Sequence, residues 1–213
     1  MNESTLRSML QQAPVLPVMV IEDIDHAVPL ARCLVDAGLP VLEITLRSKV
    51  AVEAIRRIAN EVDGAIVGAG TVLDAKGLRA VKDAGARFAI APGATPALHA
   101  AAIDSGLPFL PAVATASELM FAMEQGIDTF KLFPAAVLGG TALLRAFSGP
   151  FPEARFCPTG GIDAASAPDY LALHNVLTVG GSWMAPARLV AAKDWDRISQ
   201  LATEAAALQR NKG

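Results

Sequence analysis

The sequence predicts an α/β chain folded as a (β/α)8 TIM barrel with an extra N-terminal helix. Eight short apolar runs alternate with helical stretches at fairly even intervals, the signature of repeated βα units. Residues with chemical capacity lie after many of these runs, whereas a doubly wound sheet gathers them at one switch point. No glycine-rich fingerprint follows the first run, which argues further against the doubly wound alternative. At 213 residues the chain is shorter than the typical barrel of about 250, so its loops must be brief. No linker, low-complexity tract or charge run divides it, and one domain is expected over residues 1–213.

Taken in order, a helix over about Glu3–Gln12 precedes Pro14. The strand-like runs are Val15–Ile21, Val41–Leu46, Ala65–Gly70, Arg87–Ala91, Leu107–Ala112, Thr129–Phe133, Arg155–Pro158 and Val176–Val179. Helices are expected between them at Asp25–Ala37, Lys49–Glu61, Ala75–Ala84, Pro96–Ser105, Ser117–Gln125, Thr141–Phe147 and Ala164–Leu173, with a last one around Lys193–Gln209. Asp25, Asp74, Thr95, Thr115 and Asp163 are suitable N-caps, and Gly38, Gly85, Gly106 and Gly126 are suitable stops.

Composition narrows the class. Hydrophobic residues make up 53% and charged residues 18%, with a formal net charge of −3. No basic block or aromatic–basic interleaving appears, so nucleic acid is not an expected partner. No apolar run approaches the roughly 20 residues a bilayer span needs. The start, Met1–Leu10, reads as an amphipathic helix and not as a signal peptide, so a cytoplasmic protein is expected. Cys33 and Cys157 lie far apart and match no ligand spacing, as reduced core thiols do.

The chemistry centres on Lys131, set in the apolar run Asp128-Thr-Phe-Lys-Leu-Phe-Pro134. Strand alternation puts Thr129, Lys131 and Phe133 on one face. Burying an ammonium is costly unless it is paired or gives up its proton. The plain reading is a strand-end lysine whose stem snorkels to water. The sharper one is a nucleophilic amine aimed at a carbonyl. In Val41-Leu-Glu-Ile-Thr-Leu-Arg47 the same alternation places Glu43, Thr45 and Arg47 together, a set hard to explain as core filling. A structural Glu43–Arg47 pair is the plain alternative.

Further runs end in small residues. Val67-Gly-Ala-Gly-Thr71 offers close backbone approach and the Thr71 hydroxyl, and Ala91-Pro92-Gly93 is another tight exit. The seventh and eighth runs lead into Cys157-Pro-Thr159-Gly160-Gly161 and Val179-Gly180-Gly181-Ser182. Barrels often hold phosphate on the loops after these two strands, where glycine N–H groups and the hydroxyls of Thr159 and Ser182 can donate. His26, His99 and His174 fall in the helical stretches, away from strand ends, and no metal-ligand cluster or Gly-x-Ser-x-Gly elbow is present. A lysine with one strand-end carboxylate, carboxylate-binding groups and a phosphate pocket suits imine chemistry on a phosphorylated keto acid.

These segments resemble the family of 2-keto-3-deoxy-6-phosphogluconate (KDPG) aldolase and 4-hydroxy-2-oxoglutarate (KHG) aldolase, from about Pro14 to Leu208. The likeness rests on Val41–Arg47, Val67–Leu73, Phe130–Ala135, Arg155–Ile162 and Gly180–Trp183. It implies that Lys131 is the Schiff-base lysine and Glu43 the proton shuttle, with no cofactor and no metal. Arg47 and Thr71 would then bind the pyruvate-end carboxylate, with Pro92 and Phe133 alongside. Thr159, Gly160, Gly161, Gly180, Gly181 and Ser182 would line the pocket for hydroxyls and phosphate. The implied partners are a phosphorylated keto acid and pyruvate, and the implied assembly is a homotrimer. Ala136 stands where many members carry glutamate, and Pro111-Ala112 where Pro-Gly is usual; both are expected near the mouth. Alternatives are cleavage of the epimeric 2-keto-3-deoxy-6-phosphogalactonate, a phospho-sugar binding barrel without turnover, and a metal-dependent epimerase, which lacks ligands.

Overall fold

Strands that carry aliphatic side chains on both faces must be covered outside and filled inside, and parallel pairing with crossover helices does both. The computed structural model describes residues 3–209. Its strands are β1 (Val15–Met19), β2 (Val41–Thr45), β3 (Ile66–Gly70), β4 (Ala89–Ala91), β5 (Phe109–Val113), β6 (Thr129–Leu132), β7 (Arg155–Pro158) and β8 (Val179–Gly181). All neighbours pair in parallel, in the order β7-β6-β5-β4-β3-β2-β1-β8. The ring closes between β7 and β8 through two bridges, Phe156 with Val176 and Thr159 with Gly180. This is the expected (β/α)8 barrel.

The helices are α1 (Glu3–Leu10), α2 (Ala27–Asp36), α3 (Ala51–Glu61), α4 (Ala75–Asp83), α5 (Pro96–Ser105), α6 (Ala116–Glu124), α7 (Gly140–Ser148), α8 (Ala167–Leu171), α9 (Ala187–Ala191) and α10 (Trp195–Ala206). Asp74, Thr95 and Thr115 cap α4, α5 and α6 by accepting from backbone N–H groups, and Glu118 completes a capping box with Thr115. Gly38, Gly85, Gly106 and Gly126 take left-handed conformations at the ends of α2, α4, α5 and α6.

Several expectations were displaced. Asp25 lies within a 3-10 turn capped by Asp23, and α2 begins after His26 without a side-chain cap. Asp163 accepts from the N–H groups of Ala165 and Ser166 in the turn ahead of α8. The eighth strand is Val179–Gly181, not Val176–Val179, because two of its residues are glycines with no side chain to show a period of two. The short α9 was not foreseen. Pro111 and Ala112 belong to β5 itself, with Ala112 in register with Lys131, so they form no loop at the mouth.

Two packing zones follow from the alternation. Leu42 and Ile44 of β2 join the layer between strands and helices. Inside the ring, Leu16, Val41, Phe88, Ile90, Leu110, Cys157 and Leu177 pack with Leu6, Met9 and Leu10 of α1. The extra helix therefore plugs the N-terminal end of the barrel, each buried aliphatic contributing roughly 1.5–3 kcal/mol. Catalytic capacity is left to the opposite end.

Candidate active site

Strands β2 and β6 stand across the ring from one another, and each sends one charged side chain inward. Lys131 Nζ donates to Glu43 Oε1 at 3.1 Å and to Oε2 at 3.4 Å. Lys131 is 5% exposed and Glu43 is 1% exposed, so the lysine does not snorkel to water. The plain reading of Glu43 as the partner of Arg47 fails with it: the carboxylate belongs to Lys131. Two desolvated charges are weak contributors to stability, since desolvation offsets much of their attraction. A buried pair at the open end of a barrel is better explained by chemistry.

Gly70 on β3 makes room for the pair. A Cβ at this position would overlap the Glu43 carboxylate. The small residues of β3 thus serve a neighbouring side chain, where the sequence suggested a ligand's approach. Gly70→Ala is expected to fold and to lower kcat about 10- to 100-fold by pushing Glu43 off Nζ, a misplacement on the scale of 1 Å. Steady-state kinetics check this, and unchanged kcat would remove Glu43 from the reaction.

Beneath the pair lies Cys157, in register with Lys131 and fully buried. Burial pushes its thiol up to about 12; the charge of Lys131 pulls down and that of Glu43 pushes up. The thiol stays protonated and is no competing nucleophile. The Phe133 ring centroid is 5.5 Å from Lys131 Nζ, and the Phe133–Pro134 peptide bond is cis. Thr45 donates its hydroxyl to the Met19 carbonyl at 3.0 Å, tying the ends of β1 and β2.

Beside the pair opens a cleft of about 340 Å³. Arg47, Phe133, Thr159, Gly160 and Gly161 line it, with Gly180, Gly181 and Ser182. The eight residues named from two separate strand ends and two loops are thus brought together. Backbone bonds from Ala135 N–H to the Thr159 carbonyl (2.8 Å) and Ala136 N–H to the Gly160 carbonyl (3.0 Å) carry the β6–β7 pairing past the strand ends. Gly180 leaves space for the Thr159 side chain, which its own Cβ would overlap. Ala136 lies at the outer side of this ladder, against Gly161.

Four of the named residues do not line the cleft. Lys131 and Glu43 lie behind Phe133, a lining residue whose ring is 5.5 Å from Lys131 Nζ, and Thr71 and Pro92 follow β3 and β4. Thr71 is nonetheless held at φ 57, a costly conformation for a β-branched residue and one that concentrates at functional sites. The opposite wall was not foreseen from the sequence: it is made by Val18 of β1, by Val20 just after it, and by Ala185, Pro186 and Val190 around α9. Pro186 ahead of an Ala-Arg-Leu-Val run was the available signal for a short helix there. His99, buried and with its pKa lowered by desolvation, packs edge-on to Phe109 and Phe121 away from this cleft. Among the described residues no group of three or more His, Cys, Asp or Glu could hold a metal ion.

Comparison with known proteins agrees with the geometry. Residues 6–201 match the family model described as aldolase, KDPG and KHG aldolase. The KHG/KDPG aldolase of Escherichia coli (strain K12) is 52% identical over 203 residues, covering 95% of each chain. The 2-keto-3-deoxy-6-phosphogluconate aldolase of Zymomonas mobilis ZM4, solved with 3-phosphoglycerate, superposes with a TM-score of 0.94 at 46% identity over 98% of both chains. The KDPG aldolase of Legionella pneumophila, solved with pyruvate captured at low pH as a covalent carbinolamine intermediate, gives 0.92 at 42% identity, covering 94% of this chain and 98% of that one. On the family match and these identities, with a buried lysine–glutamate pair beside a glycine-walled cleft, the chain belongs to the KDPG and KHG aldolase family.

Proposed function

We propose that this chain is a Schiff-base aldolase that cleaves 2-keto-3-deoxy-6-phosphogluconate to pyruvate and glyceraldehyde 3-phosphate. The observation that carries the reading is the buried Lys131–Glu43 pair, 3.1 Å apart, with Phe133 between it and a cleft walled by glycine loops. Glu43 takes a proton from the Lys131 ammonium, the freed amine attacks the C2 ketone to give a carbinolamine, and Glu43 returns the proton to the departing oxygen as water leaves and an iminium forms. Glu43 takes the C4 hydroxyl proton as the C3–C4 bond breaks, and the bonding electrons flow into the iminium to form an enamine. The aldehyde leaves. Protonation of the enamine at C3 and hydrolysis of the resulting imine release pyruvate and free Lys131. The sequence of steps needs no added cofactor.

The Escherichia coli relative's name covers both substrates, so cleavage of 4-hydroxy-2-oxoglutarate to pyruvate and glyoxylate is proposed as a second activity. Incubation with pyruvate and borohydride followed by peptide mass spectrometry tests the imine directly. The expected result is irreversible inactivation with the adduct on Lys131. An adduct on another lysine, or none, would end this mechanism.

The homotrimer is proposed with the activity. Its support is the exposure of large apolar side chains at Leu73, Ile103, Met120 and Val137, which light scattering on the purified chain tests. No described helix is long and apolar enough to cross a membrane, and Cys33 and Cys157 are free thiols, in keeping with a cytoplasmic location.

A further inference from the structure

We propose that Arg7, at the plugged end of the barrel and outside the cleft, is a positioning residue for Lys131. The inference rests on the imine reading of Lys131 and adds to it a group that never meets substrate. Arg7 leaves α1 and reaches the start of β6, where its Nη2 lies 2.6 Å from Asp128 Oδ2. Its Nε donates to Asp128 Oδ1 at 3.1 Å and to Thr129 Oγ1 at 3.0 Å. Nη2 also donates to the Asp128 carbonyl at 3.4 Å and to the Glu153 carbonyl at 3.1 Å. One guanidinium therefore ties the start of β6 to the segment that leads into β7. A single exposed ion pair would contribute little. This one is partly shielded, engages both carboxylate oxygens, and ends on a threonine hydroxyl whose residue is fully buried.

The clamp acts close to the lysine. Thr129 and Lys131 share the inward face of β6, about 6.6 Å apart along the strand. The apolar neighbours of Arg7 on α1, Leu6 and Leu10, pack in the same interior cluster as Cys157, the cross-strand partner of Lys131. Helix α1 thus holds the lysine's strand by its charged contact and the lysine's neighbour by its apolar face. Glu43 arrives from β2 on the opposite wall, which Arg7 does not touch. The height of Nζ against the carboxylate is then set from below by Arg7. An error near 1 Å in such a contact can cost about 100-fold in rate.

A positioning role of this kind separates the two ends of the reaction. Steady-state cleavage and the rate of pyruvate trapping by cyanoborohydride are measured on the full chain and on Arg7→Ala and Arg7→Lys. Arg7→Ala, shown folded by circular dichroism, should lose about 5- to 50-fold in both kcat and trapping rate. Its KM for the phosphorylated substrate should stay within about twofold, since the cleft walls are intact. Arg7→Lys keeps a charge for Asp128 but not the fork onto Thr129, and should fall between the two. A variant that melts earlier yet keeps kcat and trapping rate per folded molecule would show a purely structural residue and overturn the proposal. So would a change confined to KM. Should Arg7→Ala fail to fold, Asp128→Asn loosens the same clamp from the β6 side and is judged by the same split. If the unaltered chain traps no pyruvate on Lys131, the imine reading falls and this inference falls with it.

Discussion

Lys131→Arg should leave a folded protein whose kcat for cleavage is lower by at least about 1000-fold. A guanidinium stays protonated and cannot form the imine, so the covalent route is lost entirely; each 1.36 kcal/mol of lost transition-state stabilisation is tenfold in rate. Arginine is the informative replacement because it keeps a positive charge opposite Glu43, which is 1% exposed and paired with Lys131. Lys131→Met would strand that carboxylate, and breaking a buried pair this way costs about 3–5 kcal/mol. The Met variant is therefore expected to melt well below the Arg variant, and comparison of the two separates chemistry from folding. Borohydride with pyruvate should label neither. Turnover by Lys131→Arg within tenfold of the parent chain would mean that another group forms the bond to substrate.

Much of the site is legible in the sequence, for a physical reason. The pair was legible because both partners break an aliphatic pattern at inward-facing positions: Lys131 between Phe130 and Leu132, Glu43 between Leu42 and Ile44. Strand alternation then brings them into one interior without any knowledge of loop geometry. What alternation cannot report is where side chains are missing. Gly180 and Gly181 make most of β8, and the boundary there was misplaced by three residues. Gly-Ala-Gly in β3 reads equally as close approach to a ligand or as a plain turn, and neither reading shows that Gly70 leaves room for Glu43. The wall around α9 was invisible for a related reason. Five residues are too few to establish a helical period, and Val190 lines the cleft from α9. Long-range side-chain contacts such as Arg7 with Asp128 and Thr129 leave no local trace at all.

The second large effect concerns the far end of the substrate. Gly161 lies at φ 75, where a side chain is strained, and a Cβ there would sit 2.7 Å from Ala136 Cβ. Gly161→Val should part the loops laced by the Ala135–Thr159 and Ala136–Gly160 hydrogen bonds and block backbone approach to an anion. For phosphorylated substrate kcat/KM should fall about 10- to 1000-fold, the range for one or a few charge-assisted hydrogen bonds at roughly 1.5–3 kcal/mol each. Removing the phosphate from the substrate should cost the parent chain a comparable factor. Imine formation with pyruvate, which lacks that end, should be largely spared. Arg47→Ala should do the reverse. Among the described residues that line the cleft, Arg47 is the charged one, and its removal leaves the pyruvate carboxylate without a cationic partner. Both purified variants need only borohydride trapping and steady-state cleavage. If Arg47→Ala traps pyruvate normally but loses phosphorylated substrate, Arg47 serves the phosphate. If a folded Gly161→Val traps pyruvate as poorly as Arg47→Ala, the cleft does not divide into two ends, and the assignment of its loops to phosphate is wrong.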